Sequence, residues 1–424
     1  MMKFARSTAQ ASPAAETEVE RHIPPVPRVS IQAFCETPEL AGAVQAAAGD
    51  RRMVKAHVKV QMGGLAAANE AYRSAATPNV IIVEHGSSGD NLITGLDRLS
   101  EFCDAGSKVL VVGRLNDIVL YRELVRRGIS DYIIGPVSPV DVVRAVSSLF
   151  TAPDAEPVGR VVAVAGAKGG VGASVIAHNL AFVIARKFNL DAVVVDLDLP
   201  FGTAGLDFNQ DPPQGIADAV FSPDRVDSAF VDRLLSKCTD HLSLLASPAT
   251  LDREYDFESE AFEPVFDVLR GSVPFVVLDV PHLWTAWAKR ALIGADQVLL
   301  VAAPDLANLR NAKNLFDFVR GARPNDRPPL YLLNQVGVPK RPEIRAADFA
   351  KALEAEPIAA IPFDAHLFGT AANNGQMIEE VSATHKISET FLAVAKAITG
   401  RAEVKKPKRD LLSPLLEKLR VKKA

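Results

Sequence analysis

Short apolar runs recur along the chain, each followed by a stretch whose apolar residues have helical spacing, and this alternation predicts parallel sheets wrapped by helices. Between residues 28 and 150 the runs are Arg28–Phe34, Ala56–Val60, Asn79–Val83, Lys108–Val112 and Asp131–Ile134. Five such strands predict a doubly wound, flavodoxin-like domain. A second series opens with Arg160-Val161-Val162-Ala163-Val164-Ala165, a β-branched run of the kind buried in a parallel sheet, and Val175 to Lys187 then turns to helical spacing. Two further buried strands read D-A-V-V-V-D-L-D-L over 191–199 and P-F-V-V-L-D-V-P over 274–281. The first ends in Asp196 and Asp198, the second in Asp279. The predicted organisation is a disordered stretch over 1–27, one α/β domain over 28–150, a linker over 151–157, a second α/β domain over 158–400 and a tail over 401–424.

The turn between the Arg160 strand and its helix reads Ala167-Lys168-Gly169-Gly170-Val171-Gly172-Ala173-Ser174. Glycines at 169, 170 and 172 let successive amide groups curl toward a phosphate, and the helix start adds its partial positive charge. Ser174 is placed to offer a hydroxyl to a magnesium ion. The general pattern G-x-x-x-x-G-K-[ST] is met only in part, because Ala167 replaces the first glycine and Ala173 the lysine. In an open parallel sheet, ligands gather at the carboxyl ends of the strands, so Asp196, Asp198 and Asp279 are expected to converge on this loop.

Lys168-Gly169-Gly170-Val171-Gly172 resembles the deviant phosphate loop of the ParA/MinD ATPases, with Asp196-Leu197-Asp198 similar to their switch I and Asp279 to their Walker B aspartate. The match is closer to one branch, the CpaE/TadZ pilus-assembly proteins, and spans about residues 158 to 400 together with the domain before them. The resemblance implies a P-loop NTPase-type parallel sheet that binds ATP and Mg2+. It implies that Lys168 reaches the nucleotide of a partner subunit in an ATP-sandwich homodimer, and that Asp198 positions the attacking water. Ser174 and Asp196 are implied to hold magnesium directly or through water, with Asp279 supporting the metal shell. Asn334 matches the family's adenine-contacting asparagine, and Ile361-Pro362-Phe363-Asp364 its base-side loop, which places Pro362 and Asp364 with Gly169, Gly170, Val171, Gly172, Ala173 and Ser174 among the nucleotide-binding residues. A lysine at position 173 would neutralise charge on the leaving γ-phosphoryl group, and losing it costs on the order of a hundredfold in rate. The implied activity is a slow hydrolysis of ATP to ADP and phosphate.

The first domain has its own resemblance. Tyr121 to Tyr132, followed by Pro136-Val137-Ser138-Pro139, resembles the closing helix, strand and loop of response-regulator receiver domains. The receiver chemistry does not carry over: Glu84 stands where the phosphoacceptor aspartate belongs, Gly113 where a hydroxyl residue is expected, and Gly135 where the lysine precedes the proline. Glu84 and Gly135 therefore mark a degenerate site, and the domain is expected to dock or dimerise rather than accept phosphate.

Composition narrows the picture. The 424 residues suit two domains, and 48% of them are hydrophobic, enough for sizeable cores. Three cysteines, Cys35, Cys103 and Cys238, are too far apart for a metal or disulfide pattern, which fits a reducing compartment. The first residues lack the apolar run of a signal peptide, and no uncharged 18-residue apolar segment occurs, so a cytoplasmic protein is expected, at the inner membrane face or the cell pole. Residues 401–424 carry nine Lys or Arg against three acids, a net of about +6 in a chain of net −4. Leu411, Leu412, Leu415, Leu416 and Leu419 share one face there, so residues 407–424 touch anionic lipid, dock on a partner, or remain a solvated or self-packed tail.

These features favour an ATP-dependent dimerisation and localisation factor for Flp (type IVb) pilus assembly, its partners the pilus secretion machinery or a polar hub protein, with no nucleic acid. The alternative is an active partitioning or positioning ATPase moving on membrane or DNA. An iron-protein-type electron carrier on the same fold would need cysteines for a shared cluster, and the second domain has only Cys238.

Overall fold

Five strands, β1 (Val29–Cys35), β2 (Ala56–Met62), β3 (Val80–His85), β4 (Lys108–Gly113) and β5 (Asp131–Ile134), pair in the order β2-β1-β3-β4-β5. Every pairing is parallel, the flavodoxin-like arrangement expected from the sequence. The computed structural model describes residues 23–86, 89–104, 106–151 and 158–400; residues 1–22, most of the linker and the basic tail lie outside the described residues. Local chemistry fixes the helix starts. Thr37 caps the helix Pro38–Ala48, and Ser138 with Asp141 forms a capping box on Pro139–Ser148, each with proline in the first turn. Val26 is 1% exposed and its N–H donates to Arg52 O, so the packed unit begins slightly before Arg28.

The second sheet has eight strands: β6 (Arg160–Gly166), β7 (Ala192–Asp196), β8 (Ser236–Thr239), β9 (Leu242–Leu245), β10 (Phe275–Val280), β11 (Gln297–Ala302), β12 (Leu330–Val336) and β13 (Ala360–Pro362). Their order is β13-β12-β11-β6-β10-β7-β9-β8, with only the β8 edge antiparallel. The central strands are buried on both faces, which is why they read as unbroken apolar runs. Alternation still sorts their side chains. Val161, Ala163 and Ala165 face one core with Val276 and Leu278, whereas Val162, Val164, Val277 and Val194 face the other, against the helix Ala173–Phe188.

The two domains meet at a buried ionic seam. Arg51, on a short 3₁₀ turn, reaches Asp296 at 3.1 Å and Asp326 at 2.7 Å, while Asn325 donates to Asp50 at 3.1 Å. Arg270 and Arg323 add bonds to Asp296 and Asp326 from within the second domain. Charges this deep are tolerated because each has a partner.

Candidate functional site

Strand β6 ends at Gly166 and the chain turns through 167–172 before the helix Ala173–Phe188 begins. The turn needs its glycines. Gly170 and Gly172 take positive φ values of 78° and 84°, and a Cβ on Gly172 would stand 2.7 Å from Asn334 Nδ2. Lys168, Gly169 and Gly170 are exposed, Val171 is buried as an anchor, and Ala173 and Ser174 are half-buried. Ala167, where the general pattern has glycine, is fully buried; its N–H donates to Val301 O and its carbonyl accepts from Asn311 Nδ2 at 3.0 Å. The first amides of the helix have no intrahelical acceptor, so this end of the sheet presents donors to an anion.

Asp279 and Asp196 are register partners on adjacent strands β10 and β7. By strand parity both face the Ala173–Phe188 helix. Asp196 is wholly buried, and it accepts from Asp198 N at 3.0 Å, Ala204 N at 3.1 Å and Ser247 Oγ at 3.1 Å. Burial first, and the neighbouring Asp279 charge second, push its carboxyl up to about 6. Asp198 is not part of the strand, as the sequence reading had it: β7 stops at Asp196, and Asp198 sits in the following turn, where its Oδ1 accepts from Phe201 N at 3.2 Å. The backbone leaves the sheet there because the Asp196 carboxylate draws the Asp198 and Ala204 amides back onto itself. Burial and Asp279 raise the Asp198 carboxyl as well.

Lys168 stands beside Asp305, the N-cap of helix Leu306–Ala322. Burial works to raise the Asp305 carboxyl, but hydrogen bonds from Asn308 and the Lys168 charge outweigh it and hold the group below its usual range. On the other side of the loop, Asn334 is 5% exposed and donates to Val171 O at 2.8 Å, while Gln335, at φ 56°, donates to Gly170 O at 2.9 Å. Both amides thus brace the loop from β12. Pro362 is exposed, and Asp364 caps the helix Ala365–Asn374 by accepting from Leu367 N at 2.9 Å. A cavity of about 370 Å³ opens beside the loop between Gly166, His282, Trp284 and Asn311, with His282 Nδ1 3.0 Å from Gly166 O.

Several functional-looking residues escape sequence reading. His178 is completely buried, with Nδ1 2.8 Å from Asp207 Oδ2 and Nε2 3.3 Å from Asp279 Oδ2. Burial alone would lower its pKa, but the bonds and charges of the two aspartates prevail and carry it to about 10. The available signal was its place one helical turn after Ser174; Asp207 carried none.

The donor set suits magnesium: a hydroxyl and two carboxylates, all hard oxygens, with the two anions held together by the fold. Among the described residues no group of three or more His, Cys, Asp or Glu is arranged to hold a metal alone. A cation here would complete its shell with phosphate oxygens and water.

In the first domain, the degenerate site is closed on itself. Glu84 Oε2 accepts from Glu36 N at 2.7 Å and Thr37 N at 2.8 Å, and its Oε1 accepts from Thr37 Oγ1 at 2.7 Å. Glu36 in turn accepts from Gly86 N at 2.9 Å. The place of the missing hydroxyl residue is taken too, because a Cβ on Gly113 would stand 2.2 Å from Tyr132 OH. Gly135 serves through its backbone alone, donating to Gly113 O at 2.8 Å.

The chain is similar to the pilus assembly protein CpaE from Caulobacter crescentus, at 45% identity over 31% of this chain and 100% of that one, with a TM-score of 0.30. It is similar to a ParA family ATPase from Chlorobium tepidum, at 24% identity over 57% of this chain and 98% of that one, with a TM-score of 0.51; this likeness is one of fold. Among curated proteins it is similar to the septum site-determining protein MinD of Synechocystis, 27% identical over 154 residues, 36% of this chain. The chain spans 56% of the length of that relative. No protein-family model matches the chain. Among the described residues, no helix is long and apolar enough to cross a membrane.

Proposed function

The chain belongs to the CpaE pilus-assembly proteins, and on that premise we propose that it binds ATP with magnesium and dimerises in response, acting as an assembly or localisation factor for a pilus. The observation that carries the reading is the pairing of Asp196 with Asp279 at the same end of the sheet as an exposed glycine turn that leads into a helix start. Both carboxylates are buried, and such an anionic pair would draw a divalent cation carrying the phosphate chain. Ser174 and Asp196 would hold the cation, directly or through water, with Asp279 behind them. The cation would neutralise phosphate charge. Glycines 169, 170 and 172 would bind the phosphates, and Asn334, Pro362 and Asp364 lie on the base side.

Asp198, half-buried at the mouth of the site, is the group to orient a water for attack, and Lys168, exposed on the loop, the group to reach across to a second subunit. Ala173 supplies no charge at the γ-phosphoryl position, so hydrolysis is slow and binding is the functional event. Apolar side chains crowd the same edge: Phe201 is 67% exposed and Leu306 73% exposed, and Trp284 is half-exposed. Three exposed apolar side chains beyond the carboxyl ends of β7, β10 and β11 suit a face that a second copy covers. The receiver-like domain, closed at Glu84, serves as a docking module toward a polar or secretion partner, with the chain working at the cytoplasmic membrane face or pole.

The test is the mass of the full chain in solution without nucleotide, with ADP, and with ATP and magnesium, with phosphate release followed in the same samples. Dimers with ATP alone and little phosphate are expected. No change in mass overturns the reading, and rapid release favours the positioning ATPase instead.

A further inference from the structure

Outside the phosphate loop, the most unusual arrangement in the molecule is an imidazole clasped between two carboxylates in a core. His178 sits on the Ala173–Phe188 helix one turn beyond Ser174 and has no exposed surface. Asp279, on its Nε2 side, belongs to the end of β10, and Asp207, on its Nδ1 side, closes the short helix Ala204–Asp207. At 3.3 Å the Asp279 contact is an ion pair that lacks hydrogen-bond alignment, whereas the 2.8 Å contact to Asp207 is a hydrogen bond. The Phe208 ring leans on the same imidazole, with centroids 5.5 Å apart.

The segment that Asp207 ends is tethered twice. Its first residue, Ala204, donates its N–H to Asp196, and its last side chain is held by His178. Between Asp198 and Asp207 lie two strongly exposed apolar side chains, Phe201 and Leu206. The carboxylates at the far ends of these tethers, Asp196 and Asp279, are the pair on which the magnesium reading rests. A cation drawn to them competes with the Ala204 amide for one and with His178 for the other, so both anchors are altered by one event.

We propose that His178 is a positioning residue that carries occupancy of the phosphate and metal site to the Phe201–Leu206 segment, through Asp279 on one ring nitrogen and Asp207 on the other. The proposal deepens the nucleotide reading above and depends on it. Its physical requirement is a differential contact between the empty and filled states. The shared carboxylates supply that difference, and the helix that carries both Ser174 and His178 gives it a rigid path.

The test is amide hydrogen exchange over residues 199–208 of the full chain, with and without ATP and magnesium, beside a direct titration of nucleotide binding. In the unaltered chain, nucleotide should change exchange in this segment by roughly fivefold or more. Asp207→Asn removes the charge at a partly exposed position and should leave affinity within about threefold while cutting the exchange response below about twofold. His178→Gln should also abolish the response, and the double variant should add nothing to either single one. A role confined to packing predicts lower thermal midpoints with the response intact, and that result overturns the proposal even if His178→Gln folds poorly, because Asp207→Asn alone reports it. Binding without any response in the unaltered chain overturns the coupling only. Failure of that chain to bind nucleotide removes the nucleotide reading and the coupling with it.

Discussion

Asp196 and Asp279 are neighbours in register on parallel strands, two carboxylates that the backbone pairing itself forces together inside the protein. Backbone pairing holds them there, and burial first, then the Asp279 charge, raises the Asp196 carboxyl. Asp279→Asn should therefore cost ATP affinity about tenfold or more when magnesium is present and change it little in EDTA. Titration of a fluorescent ATP analogue in both conditions checks this; equal losses in the two would mean that Asp279 serves the nucleotide through packing alone.

Ala173 opens the helix at the position where the general phosphate-loop pattern has its lysine. Ala173→Lys should raise phosphate release on the order of a hundredfold with a smaller change in affinity. A variant with unchanged turnover and unchanged affinity would show that the loop is not arranged for catalysis at all.

The imidazole between Asp207 and Asp279 makes stability depend on pH. Its folded-state pKa, about 10, lies above its ordinary 6.5, so the stabilisation is fully present below pH 6.5 and is lost as the pH rises toward 10. Thermal melts of the nucleotide-free chain should fall by roughly 5 °C more across that window than melts of His178→Asn. Parallel curves for the two proteins would remove the charge from His178.

Glu84 holds the amides of residues 36 and 37 and the Thr37 hydroxyl. Removing it in Glu84→Ala leaves these donors without their acceptor and should cost about 3 kcal/mol, read as a lower urea midpoint for the first domain. Incubation with acetyl phosphate should leave the intact mass of the unaltered chain the same. A gain of one phosphoryl group at residue 84 would reverse the docking reading.

At the seam, Arg51→Ala strands Asp296 and Asp326 without one of their cations. The expected loss is about 3 kcal/mol, with the urea transitions of the two domains moving further apart than in the parent. An unfolding profile unchanged from the parent would mean that the domains do not rely on this contact.

Much of this architecture was legible because buried parallel strands announce themselves. Runs such as Val161–Ala165 and Val276–Leu278 have apolar residues on both faces, and the glycines of 169–172 mark the turn that follows β6. Strand ends were less clear. Leu197 and Leu199 looked like a continuation of β7, yet both are buried in a turn whose direction is set by hydrogen bonds to Asp196, a tertiary effect invisible in the apolar pattern. The family motif singled out Asn334 as an adenine contact, but its grip on Val171 O could not be read from the sequence. Nothing marked Asp207 or Asn311, since their meaning lies in contacts with residues 29 and 144 positions away.

Asp296 accepts from Arg51 of the first domain and, through its other carboxylate oxygen, from the backbone N–H of Val161 at 2.8 Å. Val161 lies at the foot of the strand whose head is the phosphate loop. The joint between the domains is therefore also the footing of β6: a load taken up by the first domain, as when a partner pulls on it, bears on the base of the post that carries the nucleotide turn.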